Sequence, residues 1–300
     1  MINKTYAYFP GCSMDSSAVA YKKSFEFICK KIGLKLQEIP DWSCCGATAA
    51  HTINEKMAVA LPARNIAIAE DRLKGLDIVT PCAACYSRLK TAAYKIKQSE
   101  ELRDEVEEIL QMRVEANTEI FNFLDLFNDE EVKNACMENI SRSLKGLKVA
   151  CYYGCLLSRP TEITGETSPE NPMKMDEIIK YAGAEAVDWD YKTECCGASH
   201  QQDVPEAARP LIEKIFRNAD ANGADIIVTA CPLCNMNLDL REEEINNQMG
   251  KKYNIPVFQF TEILAIAMGA TASECGINNH VFDAFDVIDN VIKNNGKAGK

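Results

Sequence analysis

The chain repeats one series of cysteine motifs twice, in the same order. Three pairs of segments match: YAYFPGC with ACYYGC, DWSCCGATAAH with KTECCGASH, and GLDIVTPCAAC with GADIIVTACPLC. Three matches in one order indicate a duplicated domain, because the period is far longer than that of a solenoid repeat. We place the seam in the polar stretch 128–146 and predict two domains, 1–146 and 147–300.

Each half alternates short apolar runs with longer amphipathic ones, which predicts strands and helices in turn. In the first half we predict strands at 5–9, 34–39 and 76–80 and helices at 17–32, 54–74 and from Tyr86 onward. In the second half the strands are predicted at 147–153, 186–188 and 225–229. Such alternation favours an α/β fold, here two similar domains, each with a parallel sheet.

The motif cysteines follow closely after the predicted strands. In open parallel sheets, ligands gather at the carboxyl ends of strands, so the cysteines of each half are expected to converge there. The first cysteine set is Cys12, Cys44, Cys45, Cys82 and Cys85, and the second cysteine set is Cys155, Cys195, Cys196, Cys231 and Cys234.

Five thiols per half is one more than a tetrahedral zinc or a cubane iron–sulfur cluster requires. Neighbouring side chains also diverge, so a CC pair reaches two irons more readily than one small ion. A multi-iron cluster of unusual shape, or a cubane with one exchangeable thiolate, therefore fits better than structural zinc. A thioredoxin-like redox pair is a weaker interpretation of PCAAC and CPLC. No ferredoxin-type cysteine run is present, so electrons must come from a partner.

Composition limits the binding partners and the cellular compartment that we expect for this protein. The net charge of −11 argues against a nucleic-acid or anionic-membrane surface. No apolar run reaches the roughly 18 residues that span a bilayer, and no secretory leader is evident. We expect a cytoplasmic protein, where fourteen cysteines are more often metal ligands than disulfides. Cys29 and Cys151 lie outside the repeated pattern on apolar positions, and we expect them to pack in the core.

The motifs resemble the CCG domain, a cysteine-rich unit of the form C-x₃₁₋₃₉-CC-x₃₃₋₃₈-C-x-x-C. Two such units in about 300 residues resemble the B subunits of the soluble heterodisulfide reductases of methanogens. The resemblance extends to GCLLSRP at 154–160, SPENPMKMDEI at 168–178 and AVDWDYKTECCGASH at 186–200.

The resemblance implies that each domain binds one noncubane [4Fe-4S] cluster through its five cysteines, with the two clusters facing each other at the domain interface. It implies reduction of the mixed disulfide of coenzyme M and coenzyme B to two thiols, in methanogenesis. It also implies two partners: a ferredoxin-like iron–sulfur protein, the C subunit, and a flavin-containing protein, the A subunit, which bifurcates electrons from a hydrogenase or formate dehydrogenase. Alternatives are an electron-transfer component of another CCG oxidoreductase (thiol:fumarate, succinate, or glycolate or lactate), or a zinc scaffold without catalysis.

Three residues beyond the cysteines are candidates for catalysis or binding. His51 and His200 follow the CC pairs closely and are candidate proton donors to departing thiolates. Because the coenzymes are anionic, the acidic chain needs local cations, and Arg159, four residues after Cys155, is the candidate substrate ligand. The Pro- and Gly-containing stretch 158–174 is predicted to be a loop that covers the substrate opening or contacts a partner protein.

Overall fold

Each half of the chain forms its own four-stranded parallel sheet. The computed structural model describes residues 2, 4–47, 53–200, 204–250, 252–280 and 285–297. The first sheet has the order β2-β1-β3-β4, with β1 Thr5–Tyr8, β2 Lys35–Glu38, β3 Ile78–Thr80 and β4 Ile120–Asn122. The second has the order β6-β5-β7-β8, with β5 Lys148–Tyr152, β6 Glu185–Ala186, β7 Ile226–Thr229 and β8 Val257–Gln259. The predicted α/β fold, duplicated and parallel, is confirmed.

Helices connect these strands and cover the sheets. In the first half they are α1 Val19–Ile32, α2 Glu55–Arg72, α3 Ala83–Gln98, α4 Glu100–Leu110, α5 Phe123–Asn128 and α6 Glu130–Glu138. In the second they are α7 Thr161–Thr164, α8 Lys174–Tyr181, α9 Pro205–Ala221, α10 Pro232–Asp239, α11 Glu242–Met249, α12 Phe260–Ala267, α13 Ala272–Cys275 and α14 Phe285–Lys297. Across the described ranges, none of these helices is both long enough and apolar enough to cross a bilayer.

The structure corrects the predicted elements at four places. Each sheet has a fourth strand, β4 or β8, that the sequence pattern does not reveal, because only three residues form it and a helix follows at once. Strand β6 lies at 185–186 rather than 186–188. Helix α3 begins at Ala83, before the predicted start near Tyr86. The stretch 158–174, predicted to be a loop, contains the one-turn helix α7.

Helices of the two halves pack against each other at their interface. Helix α1 of the first half packs against α12 of the second, and α8 of the second packs against α5 of the first. The Ser24 and Thr261 hydroxyl oxygens lie 2.7 Å apart across the α1–α12 contact. At the α5–α8 contact, the Tyr181 hydroxyl donates to the Phe127 carbonyl at 3.2 Å. The two contacts are equivalent under the duplication, although the exact division at residue 146 stays a prediction.

Aromatic rings fill the space between the halves. The Phe127 and Phe260 rings, one from each half, meet edge to face at 5.6 Å. Phe25 and Phe123 stack at 3.8 Å directly beside them. Such large side chains contribute much of the burial energy of an interface, so each half completes its core with the other.

Gly276 shows how closely the halves approach. It ends α13 with φ of 81°, and a Cβ built there would lie 2.7 Å from the Cα of Ala20 in α1. A backbone atom that close has no flexible end to move aside. We therefore infer that only glycine fits at this contact.

We expect Gly276→Ala to lower the free energy of unfolding by about 3 kcal/mol or more, because left-handed strain adds to overpacking. The measurement is urea unfolding of the whole chain. Gly223→Ala is the matched control, since Gly223 also has positive φ, 71°, but open space around its Cβ. The control should lose only about 1–2 kcal/mol. Equal losses in both variants would contradict the close contact.

Candidate functional site

The cysteines of both sets lie at the carboxyl ends of the central strands, as the sequence predicted. Cys12 follows β1 and Cys82 follows β3; in the second half Cys155 follows β5 and Cys231 follows β7. Cys82 and Cys231 are the N-cap residues of α3 and α10. The positive end of a helix dipole favours thiolates at this position.

In the first cysteine set, the sulfurs meet in pairs. The Sγ atoms of Cys45 and Cys85 lie 3.2 Å apart, and Cys85, after Cys231, lowers the pKa of Cys82. The Gly46 amide donates to Cys44 Sγ at 3.4 Å. Cys12 and Cys44 are exposed, whereas the other three are buried. Buried sulfurs thus lie below two that face solvent.

The second cysteine set repeats this geometry. The Sγ atoms of Cys196 and Cys234 lie 3.5 Å apart, and the Gly197 amide donates to Cys195 Sγ at 3.3 Å. Cys155 is the largest cause of the lowered pKa of Cys195, and Cys234 is the group that acts most on the pKa of Cys231. Equivalent distances in both halves show that the duplication has preserved the site as well as the fold.

The two sets approach each other at Cys82 and Cys231. Both side chains are buried, and each belongs to a different half. Cys231 is the largest cause of the lowered pKa of Cys82, and Cys82, after Cys234, acts on the pKa of Cys231. The two sets are therefore close enough to interact across the interface of the halves.

Cysteines with lowered pKa values lie beside cysteines with raised ones in both sets. Hydrogen bonds from Cys231 and Cys85 hold the pKa of Cys82 well below its usual value. The hydrogen bond from Cys85 lowers the pKa of Cys45 to about 7, and that from Cys155 lowers the pKa of Cys195 to about 6. The partners that share these protons, Cys85 and Cys155, have raised pKa values. Thiolates are the form that binds metal.

A glycine before the first cysteine of each set leaves room for this packing. Gly11 and Gly154 have φ of 68° and 67°, and an added Cβ would lie 3.0 Å from Cys85 Sγ or 3.1 Å from Cys234 Sγ. The match of FPGC with YYGC aligns these glycines without showing their role. A side chain at either position would push the last cysteine of the set away.

The loop before the first CC pair is held by neutral groups. The Asn65 side chain accepts from the Ser43 amide at 2.8 Å and donates to the Ser43 carbonyl at 3.0 Å. The Phe9 and Trp42 rings pack edge to face at 5.6 Å beside it. These contacts fix the backbone immediately before Cys44.

The corresponding loop of the second half is held by a buried ion pair. Lys192 Nζ lies 2.8 Å from Asp176 Oδ1, with both side chains at most 3% exposed. The Tyr153 hydroxyl donates to Asp176 Oδ2 at 2.6 Å, and the Lys192 carbonyl accepts from the Tyr153 and Gly154 amides. The pair thus ties the loops before Cys155 and Cys195 to helix α8. A lysine in a polar stretch gives no sequence signal of burial, so pattern alone does not find it.

The other candidates have different outcomes. Arg159 donates to the Thr193 carbonyl at 3.3 Å and pairs with Glu170, so it links the 158–174 stretch to the second CC loop. His200 is an exposed residue at the end of the 3₁₀ helix Ala198–His200, three residues after Gly197, whose amide donates to Cys195 Sγ. His51 lies outside the described residues. The catalytic and substrate-binding roles of these three stay predictions.

The third histidine is buried away from the cysteines. His280 Nε2 lies 2.8 Å from Glu262 Oε1, and Nδ1 lies 3.5 Å from Asp239 Oδ2. Burial lowers the His280 pKa, but the two carboxylates more than offset this and raise it to about 10. His280 therefore acts as a cation that ties the C-terminal segment to α10 and α12.

The donor set consists of thiols, which are the usual protein ligands of iron–sulfur clusters. Each CC pair splits between a buried and an exposed cysteine, so its two thiols lie in different surroundings. Among the described residues, the Tyr21 hydroxyl is buried without a hydrogen-bond partner, and after burial the charges of Cys231 and Cys82 raise its pKa. These features fit a bound group with several irons.

Comparison with known families gives a match in both halves. The family CCG, a cysteine-rich domain, matches residues 6–90 and 149–239, which together make up more than half of the chain. The chain belongs to this CCG family. The resemblance read from the motifs is confirmed.

Two characterised relatives of this CCG protein are components of oxidoreductases. It is 33% identical over 288 residues to the 8-methylmenaquinol:fumarate reductase membrane anchor subunit of Wolinella succinogenes, covering 94% of this chain and 99% of that one. It is 29% identical over 289 residues to the B subunit of the Ferredoxin/F(420)H(2)-dependent CoB-CoM heterodisulfide reductase of Methanosarcina acetivorans, covering 93% and 94%.

A solved structure shares the fold. A hypothetical protein from Helicobacter pylori superposes with a TM-score of 0.70 at 15% identity, over 93% of this chain and 52% of that chain. The CCG protein thus spans about half the length of that structure, and the likeness supports the fold alone.

We expect Lys192→Met to lower the free energy of unfolding by about 3–5 kcal/mol, because it leaves Asp176 buried without its cation. Urea unfolding measures this. Adding Asp176→Asn should recover part of the loss, since the neutral amide still accepts from Tyr153. The matched control is Lys174→Met, whose half-exposed pair with Asp125 should matter by about 1 kcal/mol or less. Equal losses of unfolding free energy in Lys192→Met and Lys174→Met would refute the stabilising role of the buried Lys192–Asp176 ion pair.

Proposed function

We propose that the chain is the catalytic component of a heterodisulfide reductase, with one noncubane [4Fe-4S] cluster held by each cysteine set. The observation that carries the proposal is the repeated sulfur geometry: Cys45 lies 3.2 Å from Cys85 and Cys196 lies 3.5 Å from Cys234, in two halves whose helices pack together. The substrate is the disulfide of coenzyme M and coenzyme B, or one of the same class. The relative from Methanosarcina acetivorans supports this choice.

Two adjoining sites suit the stoichiometry of the reaction. Cleaving one S–S bond takes two electrons and two protons and yields two thiols. An iron–sulfur cluster supplies electrons singly, so two clusters at one interface match the need of one disulfide. The exposed sulfurs of Cys12, Cys44 and Cys195 put the solvent-facing side of both sets where a substrate would arrive.

The chain's own residues supply the supporting chemistry in this proposal. His200 stands at the second set as a proton donor, and His51 is proposed for the first. Arg159 offers its guanidinium to an anionic substrate group, since it is only partly covered by Glu170. Lys192 and Asp176 keep the second set in place while substrate binds.

Electrons reach the chain from partners in this proposal. A ferredoxin-like iron–sulfur protein passes them on, and a flavin-containing protein takes them from a hydrogenase or formate dehydrogenase. The Methanosarcina relative is named as one component of a larger enzyme, which supports an assembly of this kind.

A second function is favoured by the 33% identity to the Wolinella succinogenes protein over nearly both full lengths. In that case the chain transfers electrons within a quinol- and fumarate-linked complex and cleaves no disulfide. The same cysteine sets would hold the clusters, so metal content does not distinguish the two functions. They are distinguished by the substrate that the protein reduces.

We expect the chain, purified anaerobically, to hold about eight irons with matching acid-labile sulfide. Cys45→Ser should lose about half of the iron, because one set loses a buried ligand. Cys29→Ser is the matched control, a buried cysteine of the same half that belongs to neither set. A colourless protein that contains zinc would refute the clusters.

We expect the iron-loaded protein with a reduced viologen to convert the coenzyme heterodisulfide to two thiols, counted by a thiol reagent. Cys45→Ser should abolish this turnover, and Cys29→Ser should keep it. Coenzyme M thiol should also change the EPR spectrum of the oxidised wild type. Turnover of fumarate or a quinone, with none of the disulfide, would establish the second function instead.

A further inference from the structure

The two helices that follow Cys82 and Cys231 differ at one equivalent position. Helices α3 and α10 begin directly after these cysteines, and their C-x-x-C motifs align them with no insertion between motif and helix. Three residues after the last cysteine of the motif, the first half has Arg88 and the second half has Asn237. The duplicated helix therefore carries a cation in one half and a neutral amide in the other.

The contact of Asn237 shows which way this position faces. Asn237 is 3% exposed, and its side-chain amide donates to the Cys196 carbonyl at 2.8 Å. One turn earlier on the same helix, Cys234 Sγ lies 3.5 Å from Cys196 Sγ. Residues three apart are neighbours on one face of a helix. The last motif cysteine and the residue one turn after it thus approach the CC pair together.

The same register places Arg88 beside the first CC pair. Arg88 follows Cys85 by one turn of α3, and Cys85 Sγ lies 3.2 Å from Cys45 Sγ. Arg88 is only partly exposed, as a position on this face requires. The pKa of Cys45 is lowered chiefly by Cys85, and the charge of Arg88 is one of the smaller causes that lower it further. Register, burial and charge therefore agree on the place of Arg88.

Arg88 is a cation without a close counter-ion. Among the described residues, no carboxylate lies within ion-pair distance of its guanidinium. The cations beside the second set are paired, because Lys192 contacts Asp176 and Arg159 contacts Glu170. In a chain with a net charge of −11, the unpaired charge of Arg88 acts on whatever negative group the first set holds.

We propose that Arg88 raises the reduction potential of the cluster held by the first set, and so makes it the more easily reduced of the two clusters. The inference rests on the clusters of the proposed function but not on its substrate. Reduction adds one negative charge to a cluster, and a nearby positive charge stabilises that form. Asn237, the counterpart at the second set, is neutral and gives no such stabilisation.

Arg88→Gln removes the charge and keeps a long side chain of good helix propensity. The matched control is Lys90→Gln in the same helix, because Lys90 lies over the Tyr86 ring at 5.7 Å and lines a cavity in which no cysteine takes part. The measurement is an anaerobic redox titration of the iron-loaded proteins, followed by EPR. We expect Arg88→Gln to lower the potential of one cluster only, Arg88→Lys to keep most of the wild-type value, and Lys90→Gln to leave both potentials nearly unchanged.

The affected cluster is identified in proteins that keep one intact set. Cys196→Ser keeps the first set, and there Arg88→Gln should still lower the potential. Cys45→Ser keeps the second set, and there Arg88→Gln should have no effect. An unchanged potential in the Cys196→Ser background, or equal shifts in Arg88→Gln and Lys90→Gln, would overturn the inference.

A comparison with Arg88 in place keeps the test valid if Arg88→Gln fails to fold. The cluster of the Cys196→Ser protein should have a higher potential than that of the Cys45→Ser protein, because Arg88 lies beside the first set only. Equal potentials, or the reverse order, would overturn the inference. A wild-type protein without iron and sulfide would instead refute the proposed function.

Discussion

The approach of Cys82 to Cys231 depends on how the two halves pack against each other. Each half places its helix after the first strand on the helix after the fourth strand of the other. Cys82 and Cys231 each lie at the start of a helix at the carboxyl end of a sheet, so this packing of helices brings the carboxyl ends of the two sheets together. The parallel sheets position the thiols of each set, and the interface places the two sets side by side.

The loops before the two CC pairs are held by different kinds of interaction. The first CC loop is held by the Asn65 amide and an aromatic pair, and the second by the Lys192–Asp176 ion pair. A buried ion pair is costly unless every lone pair is used, and here Tyr153 binds the second Asp176 oxygen. Sets of like geometry thus have unlike surroundings, which is a physical basis for different behaviour of the two cysteine sets.

The duplication, the parallel sheets and the positions of the cysteines could be predicted from the chain, because each depends on local pattern. Strand-helix periodicity and motif order carry that information without any long-range contact. The fourth strands β4 and β8 could not be predicted, since three residues with a capping box leave almost no strand pattern. Their pairing depends on neighbours distant in sequence.

The contacts that refine the site could not be predicted for the same reason. Lys192 is a charged residue among polar ones, and its burial is decided by Asp176 and Tyr153 from another loop and helix. Tyr21 reads as an ordinary apolar helix position until the other half is present. Pairing across halves is invisible in a sequence that is read one segment at a time.

The reciprocal contact of α1 with α12 and of α8 with α5 is that of an isologous dimer, in which one surface is used twice around a two-fold axis. A symmetric dimer of single domains has to carry every substitution on both sides. Joining the two copies in one chain removes that obligation, so the Lys192–Asp176 pair can hold one CC loop where Asn65 holds the other. A disulfide with two unlike arms is a substrate for which a symmetric pair would be a poor receptor.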